Sequence, residues 1–270
     1  MANRLSNRMK QLKSTYRDLH DLFGRDIKAR HILEHLQFCR AEESAATVRR
    51  RMKKLDFDVM GIEEDGRVNG YVEQSSLKTG SCRNYRIRFV ASELLEESTP
   101  LIEVFSGLHD AARRFVTKRK KVIGIVTRGD LQKAPVRMWL FGLITLLEMH
   151  LLRVIRGHFP ADSWTIHLSN GRIANARKIL ASRKERNEAI DLADCLQFCD
   201  KRELVLKIPE IKESMRKQEG KSVEIVLESA ERLRDKLCHA QDIVKGSTWP
   251  EVIDLTKNIE HILEFFEHCE

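Results

Sequence analysis

Apolar residues alternate at spacings of four and three through Leu5, Met9, Leu12, Tyr16, Leu19 and Phe23, laying one seam along a helix of a little over two heptads that ends at Gly24. Such a seam serves a dimer or docks on its own or a partner's body. Helical spacing returns between Ile27 and Val59 at Ile32, Leu33, Leu36, Ala45, Val48 and Met52. The period then drops to two. Val59 to Val72 reads as strand, Asp65-Gly66 turn and strand, a good hairpin signal. A degraded copy follows, with a helix from Leu101 to Arg114, a strand beginning at Phe115-Val116, a turn at Lys118 to Lys121 and a return strand Val122 to Val126. Two helix-hairpin-helix units separated by roughly fifty residues make an internal repeat, and repeats of this length pack face to face around pseudo-symmetric clefts.

Beyond Asp130 the pattern is helical throughout. Pro135 opens a helix where its missing N–H does no harm, and Trp139, Leu140, Phe141, Leu143, Ile144, Leu146, Leu147, Leu151, Leu152 and Ile155 cover nearly its whole circumference. Continued to Arg156 it runs roughly 33 Å, and a helix apolar all round is central to a bundle or shared between subunits. Glu148, His150 and Arg153 interrupt it, which favours a buried helix over a membrane span. Gly157 and Pro160 stop it. Helices are expected over Asn170 to Lys184, Asn187 to Phe198 and Pro209 to Lys217, then along the stripe Val223, Val226, Leu227, Ala230, Leu233, Leu237 and Ala240. After Gly246, Thr248-Trp-Pro-Glu251 has capping-box spacing and starts a terminal helix with the face Val252, Leu255, Ile259, Ile262 and Phe266. The expected class is α+β: a basic amphipathic helix over 1–28, α/β repeats over 29–134 and an all-α bundle over 135–270.

Charge sharpens this division. Residues 1 to 54 hold 14 of the 48 Lys/Arg but 6 of the 40 Asp/Glu, a surplus of 8, while the remaining residues balance at 34 each. A basic segment on a neutral body attracts phosphate chains or anionic surfaces, or is simply a solvated helical face. The six cysteines are scattered without a CxxC pair, so a zinc site is not expected and a reduced, cytoplasmic chain is. The basic N-terminus has no apolar core of signal-peptide length.

Two stretches carry candidate chemistry. In Val122 to Leu131, an apolar strand breaks into a turn that offers a hydroxyl and a carboxylate, Thr127 and Asp130, with Gly124 admitting a close approach. These residues also read as a strand end and an N-cap. The pair of units resembles a tandem cystathionine-β-synthase (CBS) module, an adenosine-nucleotide sensor. Ser98-Thr99-Pro-Leu-Ile-Glu-Val104 is similar to the opening of such a repeat and Gly124-x-x-Thr127-x-x-Asp130 to its ribose-phosphate motif. The resemblance implies that Thr127 contacts phosphate and Asp130 the ribose hydroxyls, with Gly124 and Thr99 beside them. The first unit departs from it: Gly70-Tyr-Val-Glu73-Gln-Ser-Ser76 has Glu for the hydroxyl and Ser for the carboxylate, so one working site is expected. The Lys118 to Lys121 turn either reaches a phosphate or is a solvated tip.

The second stretch is Leu233-Arg234-Asp235-Lys-Leu-Cys-His239. It resembles the Arg-polar-x-x-x-His motif of the HEPN (higher eukaryotes and prokaryotes nucleotide-binding) superfamily, all-α domains many of which are metal-independent endoribonucleases. Five residues of helix rotate by about 140°, so Arg234 and His239 do not share a face, and His239 is either plain surface or part of a site that a second subunit completes. The resemblance implies a homodimer with two Arg/His sets around one RNA phosphate, Asp235 orienting Arg234, and no metal. The combined expectation is a cytoplasmic, homodimeric endoribonuclease governed by an adenosine nucleotide. The competing one is a non-catalytic, nucleotide-responsive regulator that binds RNA or protein.

Overall fold

The computed structural model describes residues 15–211 and 222–268, and the chain divides into two compact units, Asp21–Val136 and Arg137–Glu270 with the residues up to His20. Leu5, Met9 and Leu12 lie outside the described residues, as does most of the short helix expected after Pro209. The seam continues in α1 (Tyr16–Arg25), where Phe23 is buried.

The first unit is built from two sheets. One runs β2-β3-β4, from Phe38–Arg40, Val59–Glu64 and Arg67–Glu73; the other runs β1-β7-β6-β5, with β1 Glu34–His35, β5 Leu94–Glu96, β6 Arg113–Lys118 and β7 Lys121–Thr127. Each unit of the repeat is a strand, a helix (α2, Ala45–Leu55; α3, Leu101–Gly107) and an antiparallel hairpin whose first strand pairs parallel with the opening strand. The hairpins superpose in sequence with a constant offset of 54, from Val59 to Arg113 and from Arg67 to Lys121. Even the irregularities keep that offset. Register shifts fall at Ile62/Glu63 and Val116/Thr117, and the turn residues Asp65-Gly66 and Arg119-Lys120 all have positive φ, the geometry that matches the twist of the flanking strands.

The two repeats interlock through the segments that precede them. Glu34–His35, ahead of the first, pairs antiparallel with β7 of the second, and Ile87, ahead of the second, bridges Tyr71 in β4 of the first. The crossings are tight. A Cβ at Gly70 would lie 2.5 Å from the Ile87 carbonyl oxygen, and one at Gly124 would lie 2.7 Å from that of Glu34, so both strands need glycine there. Between the sheets Tyr71, Phe89 and Phe115 pack with ring centroids 4.7–5.7 Å apart.

Three expectations are corrected. Residues 29–40 form a short 3-10 turn and two short strands, and helix begins only at Ala45; α3 stops at Gly107; and residues 187–197 are a loop with a 3-10 turn at Ala193–Cys195. In the loop, Asp191 and Asp194 each accept the other's backbone N–H while Arg156 bridges both carboxylates at 2.8 Å. Such side-chain bonds offer the backbone an alternative to helix.

The second unit holds no strand among its described residues. Its centre is α4 (Ala134–His158), with Trp139, Leu140, Leu143, Leu147, Leu151 and Ile155 at most 1% exposed. By length and composition this helix could cross a membrane; in the unit half of its most apolar window is buried, and its exposed residues include the large apolar Met138, Phe141 and Met149. Around it stand α5 (Asn170–Glu185), α6 (Phe198–Val205), α7 (Val223–Cys238) and α8 (Trp249–His268). The start of α8 carries the capping box, Thr248 N–H donating to Glu251 Oε2 at 2.8 Å and Glu251 N–H to Thr248 Oγ1 at 3.4 Å.

Candidate functional site

In the first unit β7 ends at Thr127, which caps a 3-10 turn at Arg128–Gln132, and the cap is the candidate pair itself. Asp130 Oδ2 accepts the Thr127 N–H at 2.7 Å and its hydroxyl at 2.9 Å. The other carboxylate oxygen is 2.8 Å from the Lys133 ammonium, which also donates to the Ile32 carbonyl at 2.7 Å and bonds Glu34. Asp130 is 6% exposed. Burial disfavours the Lys133 charge, but its bonds to Asp130 and Glu34 outweigh that and hold its pKa above the usual lysine value. A diol meeting Asp130 therefore meets a carboxylate already oriented by one cation, and shares it.

The strand-ordering segment before β1 borders both ends of this region. Ala29 N–H donates to the Thr99 carbonyl at 2.8 Å, while Ile32 holds Lys133. The structure thus brings Thr127 and Asp130 into direct contact, seats Gly124 beneath the Glu34 backbone, and ties Thr99 in through its main chain. Lys133 stands only three residues beyond Asp130, but two of the three groups that hold it, Ile32 and Glu34, lie about one hundred positions away in the chain, and it was not legible as part of the group.

At the offset of 54 the first repeat places Glu73 for Thr127 and Ser76 for Asp130. Glu73 is bound by Arg113 at 2.5 Å, whose guanidinium also covers the Tyr71 ring, and the Ser76 hydroxyl donates to the Glu73 carbonyl at 2.9 Å. No carboxylate stands where the second repeat has one.

In the second unit Arg234 lies on α7, its guanidinium 5.6 Å from the centroid of Phe198 and bonded to Asp235 Oδ1 through Nη2 at 2.9 Å and Nε at 3.3 Å. Behind it Lys201, 8% exposed, is paired with Glu148 at 2.8 Å. His239 caps the C-terminal end of α7 and is exposed. Arg234 and Asp235 come together, then, while no hydrogen bond or ion pair among the described residues joins His239 to either side chain. The inward stripe also stops early: Val226, Leu227, Ala230 and Leu233 are buried, Leu237 only partly.

Comparison with known proteins finds the CBS domain over residues 94–137. No curated protein matches the chain. Similar solved structures include an uncharacterised conserved protein from Pyrococcus horikoshii (20% identity, TM-score 0.35, 40% of this chain and 90% of that one). Others are CBSX2 in complex with AMP (15%, 0.36, 41% and 97%) and the CBS domains of a transcriptional regulator from Streptococcus pneumoniae (16%, 0.35, 39% and 97%).

Proposed function

We propose that this chain, which carries a CBS domain over residues 94–137, is a homodimeric, metal-independent endoribonuclease of HEPN type whose activity answers to an adenosine nucleotide bound at Thr127 and Asp130. The observation that carries the sensor half is the Thr127–Asp130 pair at the end of β7, a half-buried hydroxyl bonded to a buried carboxylate. A carboxylate and a hydroxyl side by side are the groups that would take a ribose diol and a phosphate once the 2.9 Å hydrogen bond between them is given up.

The nuclease half rests on Arg234, Asp235 and His239. Asp235 fixes the guanidinium of Arg234, leaving it to stabilise charge that builds on a phosphorane. His239 takes the proton of the RNA 2′-hydroxyl as that oxygen attacks the neighbouring phosphorus. The P–O5′ bond breaks, the leaving 5′-oxygen receives a proton from the imidazolium of the second subunit, and the products are a 2′,3′-cyclic phosphate and a 5′-hydroxyl. The nucleophile belongs to the substrate, so the step needs no metal-bound water. Regulation requires the nucleotide to bind two states of the protein unequally.

A non-catalytic, nucleotide-responsive regulator is the second reading. It is favoured by the absence, among the described residues, of any hydrogen bond that would orient the His239 ring, which a working acid–base group needs.

Two measurements test this. Mixed RNA incubated with chelator is expected to be cut, and His239→Ala to slow the cut by about 10²–10⁴; RNA left intact under every nucleotide condition refutes the enzyme. Calorimetry with ATP, ADP and AMP is expected to show binding that Asp130→Asn weakens by about tenfold or more, the worth of a hydrogen bond to a charged group. Unchanged affinity refutes the site.

A further inference from the structure

A cleft of about 470 Å³ opens between α7, the loop that follows it and the first turns of α8. It lies on the face of α7 opposite Arg234, and none of the chemistry described above uses it. At 3.6 residues per turn, Ile225, Ser229, Arg232, Lys236 and His239 fall within an arc of about 80°, with Arg234 about 140° from His239. The first four line the cleft. The helical pitch holds to the end of the row, since His239 N–H still donates to the Asp235 carbonyl at 3.1 Å. His239 is therefore the last position of a face that is otherwise the wall of the cleft.

The wall is cationic over an apolar floor. Arg232, with its side chain 65% exposed, meets Ser229 Oγ at 2.9 Å and Glu228 only at 4.0 Å. Lys245 stands exposed on the loop. Lys236 is different. Its ammonium donates to the Ile243 carbonyl at 2.9 Å and to Ser247 Oγ at 3.3 Å, holding the loop in place, and burial pulls its pKa below the usual lysine value. The floor is aliphatic, from Ile225, Leu233 and Leu255. The acidic member of the lining, Glu251, spends its carboxylate on the cap of α8.

We propose that this cleft is the track along which a single strand of RNA reaches His239, with Arg232 and Lys245 on consecutive phosphates and a base on the aliphatic floor. The inference rests on the RNA reading above and adds to it a binding surface within one chain. No aromatic ring lines the cleft among the described residues, so its affinity comes from phosphate contacts, tolerant of base identity and steep in salt.

The test is fluorescence anisotropy with a labelled RNA octamer on a His239→Ala background, where binding is read without cleavage. Arg232→Glu/Lys245→Glu is expected to weaken binding at least tenfold and to lower the slope of log K against log salt by about 1.4, about 0.7 for each lost phosphate contact. Arg177→Glu/Lys178→Glu, the same charge change on the exposed side of α5, is expected to stay within about twofold. Equal losses in the two variants, or an unchanged salt slope, overturn the proposal. So does displacement of the octamer by uridine monophosphate at equal nucleotide concentration, which would make the cleft a mononucleotide site. Thermal melts check folding, with Arg232→Gln/Lys245→Gln in reserve. An octamer that binds as expected but is never cut by the chain with His239 intact removes the nuclease and leaves the cleft; cutting that ignores Arg232 and Lys245 does the reverse.

Discussion

Single side chains here are set more by burial than by sequence neighbours. Burial pushes the Cys39 thiol up to about 12, with Cys82 beside it adding to the rise, so neither buried sulfur has the thiolate character of a reactive cysteine. Glu260 on α8 shows the same force with a testable sign. Burial raises its carboxyl above the usual range, the Tyr16 hydroxyl, His20 and His261 oppose the rise, and Glu264 adds to it. The folded chain thus keeps a proton that the unfolded chain loses near pH 4.3. The stability from this residue is complete below that pH and declines as pH climbs through the folded value. Glu260→Gln is expected to raise the melting temperature at pH 7 by about 2–4 °C, the effect of about 1 kcal/mol, and to give no gain at pH 4. A gain that is equal at both pH values would refute this account. The pairing of Thr127 with Asp130 was legible because a cap and a ligand motif share one spacing; the third member, Lys133, is close in sequence but is also held by the distant Ile32 carbonyl and Glu34, and was not.

At the level of elements, periodicity read well where a strand or helix buries one face over several turns. The hairpins and their Asp65-Gly66 turn, the capping box of α8 and the apolar α4 are all of this kind. It failed where elements are two or three residues long, as in β1 and β2, and where local carboxylates capture the backbone, as at Asp191 and Asp194. The glycines at the strand crossings give the element-scale prediction. Gly70→Ala and Gly124→Ala each put a methyl against backbone oxygen and are expected to cost about 1–3 kcal/mol. Gly157→Ala, in the last turn of α4 with nothing within 4 Å of the new Cβ, is expected to gain about 0.5–1 kcal/mol. Urea unfolding measures all three, and a neutral Gly124→Ala would show that the β1–β7 crossing is looser than described.

For the whole molecule the proposed function puts the test on whether its nuclease site is shared. On that proposal the intact protein, mixed with an excess of His239→Ala and allowed to exchange subunits, forms mixed dimers that keep one of the two imidazoles the step uses. Activity should fall below the share left by dilution, and activity that merely follows the amount of intact chain would mean that each chain works alone. The interlocked lead segments carry a separate implication. Because Glu34–His35 edges the second repeat and Ile87 bridges the first, severing the chain between the repeats strips each half of a backbone pairing whose partner only the other half carries. Neither fragment is then a miniature of the parent. Each is left with a backbone edge whose partner the other carries, so the two are expected to associate when mixed and to be less stable apart.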